Sequence, residues 1–555
     1  MLFDPRKVPF SRRERFLTLS VMEGALMLRS VRGGDLRPSL GRLARIALED
    51  DAGVELVAEL QLSPGVLEAR AGGGRVRFAI GAGERLHVAG QGVRLALHLE
   101  GSRYDYAYRT PAGESCLVAA YENLRLMPRA SAGEVEVTGQ WRRDRSENVV
   151  CRFGGAGGFE GTVDLFTVTP PSASKARTEA VAREAEAEFA AFQSRFAPAR
   201  EGGEEAHRLA AYLLWANTVP AGGMLSRPAV YMSKNAMINI WSWDNAFSAL
   251  GLAAAEGTLA FDQFAAIYDR QDASGMLPDF VQDQGASLAF TKPPVHGWAI
   301  GLIADAVPGW LTTERADYLA EHLAAQVSWW LTATRAGQGT LPTYPHGNDS
   351  GWDNASFFDR GGPVASPDLP TFLILCCDAL ALLRPGETAR WSAQGEELLR
   401  LMLDQLADEE GFGTRRLAEP ERLERGQSLI RVMPLLLGDR LPRPLAERLV
   451  AQLREDHLTD WGPATEAPAS PLYEADGYWR GPIWAPTTAL VWDGLRRQGE
   501  AALAREVALR FCRLCEVAGM AENFDALAGR GLRDPGFAWT SAVYLMLTGW
   551  LREGA

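Results

Sequence analysis

The stretch HGNDSGWDNASFFD, residues 346–359, carries three acids, two amides and a tryptophan among glycines, and follows the apolar period of neither helix nor strand. A segment of that kind is a loop that presents side chains instead of burying them. Taken alone, it also fits an ordinary solvated acidic turn. Its flanks decide the matter. Apolar residues return at helical spacing over 312–334 on one side and 368–383 on the other, so the loop joins two helices.

Working outward, the same alternation holds from residue 201 to the end. Twelve helical segments are expected, near 204–219, 243–256, 260–269, 296–307, 312–334, 368–383, 386–408, 425–437, 442–453, 482–498, 500–517 and 535–552. Links of a few residues alternate with long ones at 220–242, 270–295, 335–367, 409–424, 454–481 and 518–534. Antiparallel helices joined in this way bring all six long loops to one end, and six such hairpins closing on themselves make an (α/α)6 barrel. The fold expected is therefore a multidomain one, a β-sandwich over 1–168, a linker helix over 169–200 and the barrel over 201–555.

The sandwich is read from a period of two. Runs such as Arg75–Ile80, Val93–Leu99 and Glu134–Val137 alternate polar with apolar residues and are separated by glycine-rich turns. Of the 16 tryptophans only Trp141 falls in this part, which points away from it as a place where aromatic platforms collect. Residues 172–196 are Ala/Glu/Arg-rich at helical spacing and read as the connecting helix, with Ser172 or Ser174 as its cap.

At 555 residues the chain exceeds one hydrophobic core, and at 47% hydrophobic and 23% charged it is an ordinary globular composition. A net charge of −13 argues against a nucleic-acid or anionic-membrane partner. Neither a signal peptide nor a membrane-spanning run is evident, so the cytoplasm is the expected compartment. Six cysteines are too few for a disulfide framework; Cys512 and Cys515 lie in a helical pattern as buried thiols, with no second pair to make a metal site. No metal and no cofactor are expected, since His296 and His346 have no partner at ligand spacing.

The residues that carry chemistry fall in the six long loops or the helix turn after them. Loop one ends with Trp241, Trp243 and Asp244; loop two with Lys292, His296 and Trp298; loop three holds Trp352, Asp353 and Asn354; loop five holds Tyr478, Trp479, Arg480 and Trp484; loop six holds Glu522. Indole faces among acids, amides and cations suit a pyranose, whose C–H face stacks on rings and whose hydroxyls need fixed donors and acceptors. Carbohydrate is thus the expected ligand. Glycoside hydrolysis needs two carboxyl groups across the bond, and Asp353 and Glu522 lie on loops that face each other across a six-hairpin ring. Asp244 would then accept from a sugar hydroxyl.

At IWSWDNAF (240–247), KPPVHGW (292–298), DSGWDNA (349–355), YWRGPIW (478–484) and ENFDALAGRG (522–531) the chain resembles glycoside hydrolase family 63. This is a group of inverting α-glycosidases that takes in processing α-glucosidases and hydrolases of mannosylglycerate and glucosylglycerate. A more distant likeness extends to trehalases and glucoamylases. The resemblance implies Asp353 as general acid and Glu522 as general base, with Asp244, Lys292, His296, Trp352, Asn354, Tyr478, Trp479 and Arg480 lining the sugar pocket. Asp349 departs from the family pattern, which often has Glu there. The other readings are a trehalase- or glucoamylase-type α-glucosidase, a phosphorylase or sugar epimerase on the same barrel, and a glycan-binding protein without turnover. Lys292 or Arg480 would serve a charged aglycone.

Overall fold

The alternating runs become strands because each has one face to bury and one to wet. In Gly74–Ile80, Val76 and Phe78 are buried while Arg75 is exposed. The computed structural model describes residues 2–553. One antiparallel sheet runs from Phe10–Ser11 through Leu17–Met22, Ala25–Ser30, Arg42–Glu49, Arg94–Leu99 and Arg145–Gly154 to Glu134–Arg142, with Glu55–Leu56 beside Arg42–Glu49. A second runs Tyr106–Arg109, Ser115–Ala119, Leu124–Ala132, Phe159–Phe166, Arg85–Gln91, Gly74–Ile80, Leu67–Ala71, Glu59–Leu62. The sheets meet at pairs such as Phe153 and Phe159, whose rings are 5.9 Å apart.

The first helix, α1 (Thr178–Gln193), does more than connect. Its stripe of Val181, Ala182, Ala185, Phe189 and Phe192 is buried, and Val181 and Ala182 pack on Ala79 of the second sheet. Arg12 pairs with Glu184 and Glu188 of the helix at 2.7 Å each. The first compact unit accordingly runs up to Ser194 and also takes in Trp215–Pro220 and Ser233–Ile238; the second comprises Arg195–Leu214, Ala221–Met232 and the chain from Asn239.

The second unit is helical: α2 (Glu204–Asn217, whose last turn belongs to the first unit), α3 (Asp244–Leu252), α4 (Gly257–Tyr268), α5 (His296–Ala306), α6 (Thr313–Ala333), α7 (Asp368–Leu383), α8 (Thr388–Leu406), α9 (Arg443–Gln452), α10 (Ala485–Arg497), α11 (Ala501–Ala518) and α12 (Ala538–Glu553). Eleven of the twelve expected segments are α-helices. The eighth, expected at 425–437, is a 3-10 run, Leu429–Arg440, because Pro434 lacks a backbone donor and Gly438 breaks the run with φ +61°. No helix among the described residues is long and apolar enough to cross a membrane.

Composition sorts the helices into two sets. α3 is buried on every side and α7 nearly so, whereas α8 and α11 bury one stripe. The buried set closes on itself: α3 packs on α5, α5 on α7, α7 on the 3-10 run, that run on α10, α10 on α12, and α12 on α3. α4, α8 and α11 pack outside α3, α7 and α10. Every long loop therefore enters the N-terminus of an inner element.

Two seams of this ring depend on glycine. A Cβ on Gly251 of α3 would stand 2.5 Å from Ala542 Cα and 2.6 Å from its carbonyl oxygen; one on Gly297 of α5 would stand 2.7 Å from the Cys376 amide nitrogen on α7. Backbone lies against backbone, so neither neighbour can yield. Gly251→Val is expected to cost about 3 kcal/mol or more through overpacking, read as a lower urea midpoint with unchanged slope. A midpoint equal to that of the unsubstituted protein would show that the α3–α12 seam opens freely.

Candidate active site

Three small antiparallel sheets tie the long loops in pairs. Ile240 and Trp241 of loop one pair with Val281 and Phe280 of loop two; Val364 and Ala365 of loop three with Arg416 and Arg415 of loop four; Ile483 and Trp484 of loop five with Phe524 and Asn523 of loop six. The side chains at the ends of these ladders are held by backbone rather than by side-chain contacts alone.

Lys292, buried at the end of loop two, is the hub. Its Nζ donates to the Asn348 carbonyl and Oδ1, both at 2.9 Å, and lies 3.3 Å from Asp279 Oδ1 and 3.4 Å from Asp353 Oδ1. Burial pulls the ammonium's pKa down, but Asp353, Asp279 and Asp244 outweigh it and hold the pKa above its usual value. Burial raises Asp353, with Lys292 opposing and Asp279 adding to the rise. Asp244, at the start of α3, is pushed well above the carboxylate range by burial, again against Lys292 and with Asp353 reinforcing.

Loop three is wound tightly to bring Asp353 there. Asp349 accepts from the Thr291 and His346 backbone N–H groups at 2.9 and 3.0 Å, capping the 3-10 turn Gly347–Ser350. The carboxylate that departs from the family pattern is thus spent on backbone. Gly351 has φ +74°, and a Cβ on it would meet the Trp243 ring at 2.7 Å, so glycine is required twice over.

Glu522 arrives from loop six. Its N–H donates to the Asp534 carbonyl at 2.7 Å and its own carbonyl accepts from Trp539 Nε1 at 3.2 Å. Burial first and Asp534 second push its pKa up to about 7, against Arg533 and a hydrogen bond with Tyr478. Tyr478 is the residue on which the acids converge. Burial raises its phenol, and Asp353, Glu522 and Asp244 raise it further, so one hydroxyl feels carboxyl groups from loops three, six and one. Its backbone is left-handed, φ +64°, an uncommon conformation for a bulky residue. Arg533, itself at φ +63°, stands 5.4 Å from the Tyr478 ring centroid and pairs with Asp476 Oδ1 at 2.9 Å.

The indoles depart from expectation. Trp243, Trp352, Trp479 and Trp484 are all buried and use their faces on one another. Trp479 stacks on Trp484 at 4.0 Å and 3°, with Trp352 5.3 Å and Trp243 5.7 Å from Trp479. Trp539 of α12, absent from the expected set, completes the cluster 5.4 Å from Trp484. They form a floor rather than platforms; Trp241, 6.0 Å from Phe280, alone keeps a partly exposed ring.

Other expected pocket residues also serve packing. Trp298 is buried and donates from Nε1 to Asp493 Oδ2 at 2.8 Å, joining α5 to α10. His296 lies buried between Tyr268 and Phe264, its Nδ1 3.2 Å from Gln326 Nε2, and burial lowers its pKa to about 4. Asn354 donates to the Gly477 carbonyl at 3.0 Å and accepts from Trp479 N–H at 2.9 Å, lacing loop three to loop five. Arg480 donates to the Asn354 carbonyl at 2.9 Å and pairs with Asp359. All six cysteines are buried free thiols.

The model of the mannosylglycerate hydrolase MGH1-like glycoside hydrolase domain matches residues 237–540, more than half of the chain. A mannosylglycerate hydrolase of Thermus thermophilus is 25% identical over 398 residues, covering 56% of this chain and 94% of the relative. Mannosylglycerate hydrolase MGH1 of Selaginella moellendorffii is 25% identical over 386 residues, 55% of this chain and 79% of the relative. Among solved structures, a family 63 mannosylglycerate hydrolase from Thermus thermophilus has the same fold. Its complex with glucose gives a TM-score of 0.54 at 23% identity over 63% of this chain and 99% of that one, and its complex with Tris and D-glycerate gives 0.52 at 23% over 61% and 98%. Five motifs in order, a ring of buried helices and carboxyl groups gathered at its loop end agree with these matches: the chain belongs to glycoside hydrolase family 63, through an MGH1-like catalytic domain, and is a glycoside hydrolase.

Proposed function

We propose that the chain hydrolyses an α-glycosidic bond with inversion, Asp353 protonating the leaving oxygen and Glu522 drawing a proton from the attacking water. The observation that carries this reading is the lacing of loops three, five and six: Asn354, next to Asp353, bonds Gly477 and Trp479 on either side of Tyr478, and Asn523, next to Glu522, pairs with Trp484 of loop five, although 169 positions separate the two acids in sequence (522 − 353). Asp244 and Trp241 supply a hydroxyl acceptor and a partly exposed ring to the sugar, and Tyr478 fixes Glu522. Lys292 and Arg480 orient loop three instead of binding an anion, since both are already engaged. The ring of inner elements with its outer partners is read as an (α/α)6 barrel.

Substrate follows by similarity. A small α-glycoside carrying a hexose fits a relative whose solved complexes hold glucose or D-glycerate. An epimerase would need paired histidines at the mouth, whereas His296 is buried beside Gln326. Trehalose, maltose, glucosylglycerate and mannosylglycerate make the discriminating panel.

Asp353→Asn and Glu522→Gln are each expected to lower kcat by roughly 10²–10⁴ with little change in thermal midpoint. Proton NMR of the first sugar released from an α-glycoside should show the β-anomer; initial α-anomer would overturn inversion.

The pH dependence follows from the two carboxyl groups. Acting as base, Glu522 gains its working charge as pH rises past about 7, and acting as acid, Asp353 loses its working proton as pH rises through its own raised value. The profile of kcat/KM is therefore bell-shaped, with limbs that belong to the pair. Tyr478→Phe removes a hydrogen bond that holds Glu522 down and should move one limb to higher pH. A profile unchanged in that variant would remove Glu522 from the titration.

Asn354→Ala should cut kcat/KM at least about tenfold, because a small misplacement of a catalytic loop costs that much or more. Full activity in that variant would show that loops three and five need no lacing.

A further inference from the structure

Among the described residues, only four aromatic side chains are exposed: Tyr104, Tyr108, Tyr121 and Trp141. All four belong to the β-sandwich unit, and two of them, Tyr108 and Trp141, flank the half-buried ring of Tyr106. Tyr106 lies 5.8 Å from Tyr108 and 6.1 Å from Trp141, the latter edge-on at 82°. These rings come from the edge strands of both sheets, Tyr106–Arg109 and Glu134–Arg142.

The patch is rigid. Asp105, buried between Tyr104 and Tyr106, accepts from Ser102 N–H at 2.9 Å, Ser102 Oγ at 2.6 Å and Ala120 N–H at 2.7 Å, so one carboxylate fixes the turns bearing Tyr104 and Tyr121. Ser146, the ladder partner of Trp141, donates its N–H to the Asp105 carbonyl at 2.8 Å and accepts from Ala107 N–H at 3.3 Å. Tyr104 holds φ +72° in the open, with the Arg103 guanidinium 4.7 Å from its ring centroid. Beside these rings lies a cavity of about 440 Å³ lined by Glu100, Ser102, Asp105, Arg145, Glu147 and Asn148.

We propose that this surface binds a saccharide chain: the exposed rings of Trp141 and Tyr108, on either side of the half-buried Tyr106, stack on its sugar units, and the adjoining polar recess takes hydroxyls. Two features favour a saccharide over a second copy of the chain. No large aliphatic side chain within 99–109 or 139–149 is exposed, and the rings stand beside a recess lined by hydroxyl, amide and charged side chains, a pairing that suits the C–H faces and hydroxyls of a sugar. The strand carrying Trp141 ends in the charged turn Arg142, Arg143, Asp144, Arg145, with Arg142 and Arg145 paired to Glu147, and such a charged edge disfavours extension of the sheet by another copy. The inference is independent of which bond Asp353 and Glu522 cut.

Affinity electrophoresis of the full-length protein through gels containing glycogen, α-mannan or mixed-linkage β-glucan tests it. Retardation by at least one of these is expected, weakened roughly tenfold or more in Trp141→Ala and Tyr108→Ala. Hydrolysis of small α-glycosides and the thermal midpoint should be unchanged in both variants. Free migration of the unsubstituted protein in all three gels, or equal retardation in Trp141→Ala, overturns the proposal. So does self-association that the Trp141→Ala change abolishes while no glycan binds.

Discussion

A single buried ammonium group organises the mouth of the helical unit. Lys292 neutralises part of a charge that would otherwise be untenable, since Asp353, Asp279 and Asp244 all crowd toward it. One cation among three acids leaves the cluster short of positive charge, and low polarisability around it makes full ionisation expensive. The cheapest remedy is to keep protons. On the proposed mechanism this is how Asp353 keeps the proton it donates to the leaving oxygen, and the N-termini of the inner helices favour whatever negative charge remains.

Much of this was legible before any coordinates. Alternating loop lengths revealed the helical pairing because link length is a property of the chain, readable without side-chain geometry. Glycine and tryptophan punctuation marked the loops that carry Asp353 and Glu522. Side-chain direction was not legible in the same way. Trp241 and Trp243 stand two positions apart in one motif, yet the first keeps a partly open ring while the second is sealed at the start of α3. Nothing local distinguishes them, because the burial of Trp243 comes from Trp479 and Trp539, hundreds of positions away. Trp539 was overlooked for the same reason: inside a helix its residue type reads as core, and only the fold brings it to Glu522.

Asn354 and Asp349 teach a related lesson. Polar residues beside a candidate acid attract functional readings, but a loop so short on regular structure has many backbone groups to satisfy. Asp349 and Asn354 satisfy backbone groups from loops two, three and five, which is what holds Asp353 in place. In the sandwich, counting tryptophans passed over exposed rings that are mostly tyrosines.

The three small ladders joining loops one to two, three to four and five to six have a further implication. Each couple behaves as one rigid jaw, so the rim is a three-jawed chuck and not six independent fingers. Give between jaws is limited to their joints, and two of those joints are pinned, by Lys292 reaching across to Asn348 and by Asn354 reaching across to Gly477. Lengthening a single loop during evolution would unbalance its partner, so variation in what the rim admits is channelled into matched changes within a jaw.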